Sequence, residues 1–180
     1  MENFVPHEIS FEDMGPGDVI VWRREGLVAG VLSWLIQKLK EPGYSRWGWH
    51  TTPVVATNKI LDAQFPKVKV SYISDYLAKG RNCRVYRVFP HPLPDWQLEK
   101  FTKSIVGKHY DFLVYIWTTI SKLFGFIRII NKRYSCWEVT WAFLDYFGFE
   151  PLDNSDFDIE YPWLPDFLRC VGEMAIKRKA

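Results

Sequence analysis

Residues 50–64 read His-Thr-Thr-Pro-Val-Val-Ala-Thr-Asn-Lys-Ile-Leu-Asp-Ala-Gln, the pattern of two strands joined by a tight turn. Thr51 to Ala56 forms one arm, Thr57-Asn58 the turn, and Lys59 to Gln64 the return, with β-branched and apolar residues on both sides of a polar pair. Pro53 has no N–H to give to a ladder, so it implies a sheet edge or a bulge. The register decides which side chains share a face. A strict two-residue loop pairs Val54 with Leu61 and sends Asp62 to the face opposite His50. A three-residue loop with Asn58 in the left-handed region shifts the pairing by one and puts Asp62 and Gln64 on the His50 face. The sequence is compatible with both.

Outward from this hairpin the chain continues as a meander. The turn Gly15-Pro16-Gly17 precedes Asp18 to Arg23, a short apolar run of buried-strand type. Leu27, Val31, Trp34, Leu35 and Leu39 are spaced as on one helix face, predicting a helix over 27–40 that stops at Glu41-Pro42-Gly43. A loop rich in Trp and Gly (44–49) leads to His50, which begins its strand. Val68 to Tyr72 and Cys83 to Phe89 read as further strands, with Ser74-Asp75 capping a short helix between them. Pro94-Asp95 opens a helix to about Val106. Asp111 to Phe124 is an aromatic helix. Trp137 to Phe147 is another, ended by Gly148. From Pro151 on, four acidic residues precede Tyr161-Pro162, and a last helix starts at Asp166. Strands in sequence followed by helices argue for the α+β class with an antiparallel sheet. The 180 residues, without repeats or an interdomain linker, fit one domain (1–180) with a C-terminal helical extension over 151–180.

Composition narrows the function. Apolar residues make up 48% of the chain and aromatics 17%, which suits a rigid core, a ring-lined groove or a membrane-facing patch. A net charge of +2 with no basic stripe argues against nucleic acid as a partner. The three cysteines form no CxxC pair and no zinc spacing with the four histidines. No metal, cofactor or disulfide framework is expected, and a reducing compartment fits. The first residues carry neither a basic nor an apolar signal region, so a cytoplasmic location is expected. Phe112 to Ile130 is the one long apolar stretch. Lys122, Gly125 and Arg128 interrupt it, so it reads as a buried or interfacial helix rather than a membrane span.

Chemistry concentrates at Tyr134-Ser135-Cys136-Trp137-Glu138, where a basic polar stretch gives way to a helical pattern. A thiol at a helix N-terminus feels the positive end of the dipole, which favours the thiolate that attacks carbonyl carbon. Such a nucleophile needs an imidazole, and the imidazole needs an orienting group. His50 is the best-placed of the four histidines: His7 lies in the N-terminal tail, His91 between two prolines, His109 in a loop beside Tyr110. Asp62 is the first choice to orient the ring and Gln64 the second. Trp47, Trp49, Tyr110 and Trp137 are candidates to wall a groove.

These segments resemble the NlpC-type cysteine peptidase superfamily, and within it the circularly permuted YiiX/YebB-like branch. The resemblance rests on Gly17-Asp18-Val19-Ile20, Ser45 to His50, Ile60-Leu61-Asp62-Ala63, Gly107-Lys108-His109-Tyr110-Asp111-Phe112 and Tyr134-Ser135-Cys136-Trp137-Glu138, and covers about residues 15 to 150. It implies a papain-like fold, an antiparallel sheet or half-barrel packed against helices, with the histidine and acidic residue preceding the cysteine. It places Cys136 as nucleophile, His50 as base and Asp62 as third member of a catalytic triad. The chain departs from the branch in two places: Asp62 stands where Glu is usual, and Trp137 where a small residue is.

The resemblance further implies a cysteine hydrolase of the peptidase or amidase class. It would form a thioester acyl-enzyme on a peptide, amide or other acyl substrate, with peptidoglycan stem peptides one candidate. The absence of a signal region is at odds with a cell-wall role, unless cell-envelope action uses another export route or the gene is of phage origin. Two alternatives stand beside it. One is a thiol acyltransferase or lipid hydrolase at a membrane surface, although the Asn-Cys-Glu-His-Phe motif of the lecithin:retinol acyltransferase-like proteins is absent. The other is a non-catalytic binding module on the same fold. The sequence is silent on oligomeric state.

Overall fold

The computed structural model describes residues 5–23, 47–111 and 134–149, with the backbone only for 47–49. The expected helices over 27–40 and 111–124, the 112–130 stretch and the 151–180 extension lie outside these residues almost entirely.

Six strands form one sheet: β1 (His7–Ile9), β2 (Val19–Arg23), β3 (Trp47–Ala56), β4 (Lys59–Gln64), β5 (Lys67–Tyr72) and β6 (Cys83–Arg87). Their order is β1-β6-β2-β3-β4-β5, and every pairing is antiparallel. Strands β2 to β5 run as a meander. The chain then passes through the short helix α1 (Ile73–Leu77) and returns to insert β6 between β1 and β2. Helices α2 (Asp95–Ile105) and α3 (Cys136–Tyr146) follow. The architecture is therefore α+β with an antiparallel sheet. Among the described residues no helix is long and apolar enough to cross a membrane.

The apolar run in β2 reads correctly as a strand covered on both faces, since Val19, Ile20, Val21 and Trp22 are all fully buried. Each such side chain contributes about 1.5–3 kcal/mol of burial. Val19 and Val21 join Leu61, Ala63 and Tyr86 in a large core with Leu98, Phe101 and Ile105 of α2 and Val139, Phe143 and Leu144 of α3. Ile20 and Trp22 point the other way, into a smaller cluster with Val54, Ile60, Ile73 and Tyr76. The alternation along one strand thus serves two cores at once.

Several expectations are corrected. The 47–49 run is strand rather than loop, so His50 is the fourth residue of β3 and not its start. Backbone pairing with β2 continues past His50 through an irregularity, from Trp22↔His50 to Arg23↔Trp47, which carries the strand into the aromatic stretch. His7 lies in a short edge strand paired with Arg87, not in a tail. Helix α1 starts at Ile73 after Tyr72, with no side-chain cap from Ser74. Its first amides are met from the hairpin turn instead. Ile73 N–H donates to the Asn58 carbonyl at 3.1 Å and Ser74 N–H to Asn58 Oδ1 at 3.0 Å. Asn58 can do this because it sits at φ 57, a left-handed conformation that asparagine tolerates better than most residues.

Pro53 lies in an interior strand, opposite Val19, directly beside a bulge. Ala56 pairs with Lys59 across a two-residue turn, but Val54 pairs with Ile60 and not with Leu61. One extra residue in β3 has shifted the ladder by one. The bulge, together with the left-handed Asn58, sets the register in which Asp62 and Gln64 share the face of His50.

Candidate active site

The structure brings His50, Asp62 and Cys136 together. His50 Nε2 lies 2.9 Å from Asp62 Oδ1, both side chains being buried. The shorter carboxylate, present where the resembling branch has Glu, reaches the ring fully. Cys136 acts on the same ring, through its charge and a side-chain hydrogen bond.

Local sequence explains how the sulfur arrives. Cys136 is the first residue of α3, and Ser135 is its N-cap. Ser135 Oγ accepts from the Glu138 N–H at 3.3 Å, and Glu138 Oε2 accepts from the Ser135 N–H at 2.6 Å, closing a capping box. Upstream, Tyr134 is pinned by backbone bonds: its N–H donates to the His109 carbonyl, and Asp111 N–H donates to the Tyr134 carbonyl. The 107–111 segment is itself laid along β5, through Gly107 N–H to the Val68 carbonyl and Val68 N–H to the Lys108 carbonyl. Downstream, Thr140 Oγ1 donates to the Cys136 carbonyl at 3.0 Å and touches Thr51 Oγ1 at 3.4 Å, next to His50 on β3. The Gly-Lys-His-Tyr-Asp and Tyr-Ser-Cys segments thus form one mount for the thiol.

Electrostatics follow from this packing. Burial acts to lower the His50 pKa. The charge of Cys136 and the hydrogen bonds with Asp62 and Cys136 outweigh it and lift the ring from 6.5 to about 9. For Asp62 burial acts upward, but the hydrogen bond and charge of His50, with the Ser71 and Tyr76 hydroxyls, hold the carboxyl below the usual range. Because the His50 pKa is raised on folding, its contribution to stability is complete below 6.5 and is lost as pH rises through about 9. In a side-chain NMR titration His50 is expected to have a midpoint near pH 9, falling in Cys136→Ala, which removes the leading upward cause. Titration near 6.5 in both proteins would contradict the ion-paired geometry.

Gln64 does not bond the imidazole. Its amide donates to the Tyr76 hydroxyl, so Asp62 alone of the two candidates orients His50 directly. Sequence reading missed Tyr76 and Ser71. Ser71 Oγ and Tyr76 Oη each donate to Asp62 Oδ2 at 2.8 Å. Ser71 was findable in principle, since it stands opposite Ile60 on the strand paired with β4. Tyr76 carried no signal beyond membership of a short helix. Of the candidate groove residues, Trp137 is 2% exposed and packs in the larger core, and Tyr110 packs against the same core. Trp137 is thus a core residue, while Tyr110 is half-buried. The side chains of Trp47 and Trp49 lie outside the described residues. Cys83 is half-buried and burial pushes its thiol up to about 11, the opposite of activation. Among the described residues no cluster of His, Cys, Asp and Glu could hold a metal ion.

The Gly17-Asp18 motif proves structural. Asp18 accepts from Arg87 Nε and Nη2 at 3.2 and 3.1 Å and from the Gly15 N–H at 2.8 Å, locking the turn before β2 onto β6.

No protein-family model matches the chain, and no curated protein is detectably similar to it in sequence.

Proposed function

We propose that this chain is a cysteine hydrolase of the amidase or peptidase class, built on a papain-like fold with circularly permuted order, acting through Cys136, His50 and Asp62. The observation that carries the reading is the buried His50–Asp62 pair at 2.9 Å, hydrogen-bonded onward to a cysteine at the first position of a capped helix. A lone buried thiol needs none of this apparatus. The same contact weighs against a non-catalytic module, which would leave the sulfur and the imidazole apart.

In the proposed reaction the Cys136 sulfur attacks the carbonyl carbon of an amide and the C–S bond forms. Negative charge gathers on the carbonyl oxygen at the positive end of the α3 dipole. His50 gives its proton to the departing amine nitrogen as the C–N bond breaks, leaving a thioester. Water then adds to the thioester, losing its proton to His50. The C–S bond then breaks with the sulfur as leaving group, the acid departs, and the proton held by His50 returns the Cys136–His50 pair to its starting state. Asp62 holds the ring tautomer throughout and stays ionised.

Iodoacetamide treatment near neutral pH, with the modified site mapped by peptide mass spectrometry, tests the reading. Stoichiometric alkylation is expected at Cys136 and not at Cys83. Cys136 is only 1% exposed, so the reagent must be small and the reaction requires local opening as well as ionisation. Alkylation of Cys136 only under conditions that unfold the chain would overturn the proposal.

A further inference from the structure

We infer that Tyr76 is a positioning residue for this site and that Gln64 acts through it. The inference rests on the cysteine hydrolase reading for its kinetic consequences but on geometry for its existence. Tyr76 is 4% exposed and comes from α1, a different element from either member of the His50–Asp62 pair. Its hydroxyl donates to Asp62 Oδ2 at 2.8 Å and lies 3.4 Å from His50 Nε2. A phenol has one proton to give, and it goes to the carboxylate. The oxygen is left as an acceptor, which the Gln64 amide fills. The chain of donors runs Gln64 to Tyr76 to Asp62, with His50 on the other carboxylate oxygen.

The ring contributes as well. Tyr76 lies nearly parallel to the imidazole, at an interplanar angle of 10° and a centroid distance of 6.1 Å. It is itself wedged by Trp22 at 4.6 Å and by the Arg81 guanidinium at 4.5 Å from the ring centroid. Water is thereby kept from that side of the His50–Asp62 bond, and a buried charge pair is worth more when dry. Helix α1 is fixed by the Asn58 clip described above, so the same hairpin turn that sets the Asp62 register also aims Tyr76 at it. Asp62 and Gln64, weighed in the sequence as rival orienting groups, belong to one network, joined through Tyr76.

The groups facing Tyr76 Oη are Asp62, His50 and Gln64, with Ser71 on the shared carboxylate and Arg81 over the ring face. Removing the hydroxyl removes one of the bonds that lower the Asp62 pKa, so that pKa rises. Tyr76→Phe keeps the ring and is expected to slow Cys136 alkylation at neutral pH by about tenfold, the scale of one hydrogen bond to a charged group. It is also expected to displace the His50 Nε2 resonance and, with a substrate in hand, to lower kcat with KM unchanged. Gln64→Leu is expected to give a weaker effect in the same direction and none when added to Tyr76→Phe. A Tyr76→Phe protein with an unmoved His50 resonance, whatever its melting temperature, would overturn the inference, as would additive effects of the two substitutions. The His50 resonance reads the network without any turnover, so an inert Cys136 would defeat the hydrolase reading and leave this test standing.

Discussion

Cys136→Ala is expected to abolish turnover while leaving the fold in place. If acyl transfer proceeds through the sulfur, no neighbouring group can replace it, and the rate on an activated acyl ester should fall by about 10³-fold or more. Cys136 and Ala are both small, and the first helical position accepts either, so the α3 cap formed by Ser135 and Glu138 survives. The expected picture is a folded protein that melts somewhat below the parent at neutral pH, because part of the stabilisation carried by the raised His50 pKa is gone, with no burst of acyl-enzyme in rapid-mixing mass spectrometry and a His50 that titrates lower than in the parent. Wild-type hydrolysis by the alanine variant would remove Cys136 from the chemistry altogether.

The second large effect is structural and kinetic together. Asp62→Ala deletes the acceptor of three buried or half-buried donors, His50, Ser71 and Tyr76. Breaking a buried pair by removing one partner costs about 3–5 kcal/mol, because the remaining charge is left without compensation. For a chain of this size, that loss corresponds to a fall in melting temperature of roughly 10 °C or more. Asp62→Asn keeps the volume but offers an amide where the ring needs a carboxylate, so it should retain more stability than Ala and lose roughly 10³–10⁴-fold in rate. The pH dependence has a definite sign. The folded pKa of Asp62 is lowered below its ordinary 3.8, so its stabilisation is present above that value and is lost as pH falls through the lower, folded one. The stability gap between parent and Asp62→Ala should therefore close in strong acid. Denaturant titrations at neutral and acid pH, read beside ester hydrolysis, check both parts. Equal stability of parent and Asp62→Ala at neutral pH would sink the claim that the carboxylate anchors this centre.

The sequence was most legible where one local signal dominated. The apolar run of β2 and the tight turn at 57–58 each state their structure in a few residues. Cys136, His50 and Asp62 could be nominated from residue type and order. Whether Asp62 faced His50 could not be read, because it hinged on a single extra residue at the β3 bulge, and a strand period of two makes such a slip decisive. Tyr76 was invisible for a different reason. Its helix is five residues long and packs across the hairpin through contacts remote in sequence, which leave no periodic trace. Trp137 illustrates the converse: an aromatic beside a reactive thiol suggests a binding wall, yet position 137 on α3 faces the core.

The Asn58 clip and the network it aims have a bearing on how the molecule assembles. His50 and Asp62 are twelve residues apart in the chain, and Asp62 and Tyr76 fourteen, so the imidazole–carboxylate half arises from one contiguous stretch with small loops to close. The sulfur comes from far downstream and is seated only when Tyr134 has locked onto the 107–111 segment. During synthesis His50 and Asp62 are therefore made well before Cys136. Cys136 is the last of the three to be made, so its contact with His50 can form only after residues 134–136 have followed the hairpin out of the ribosome.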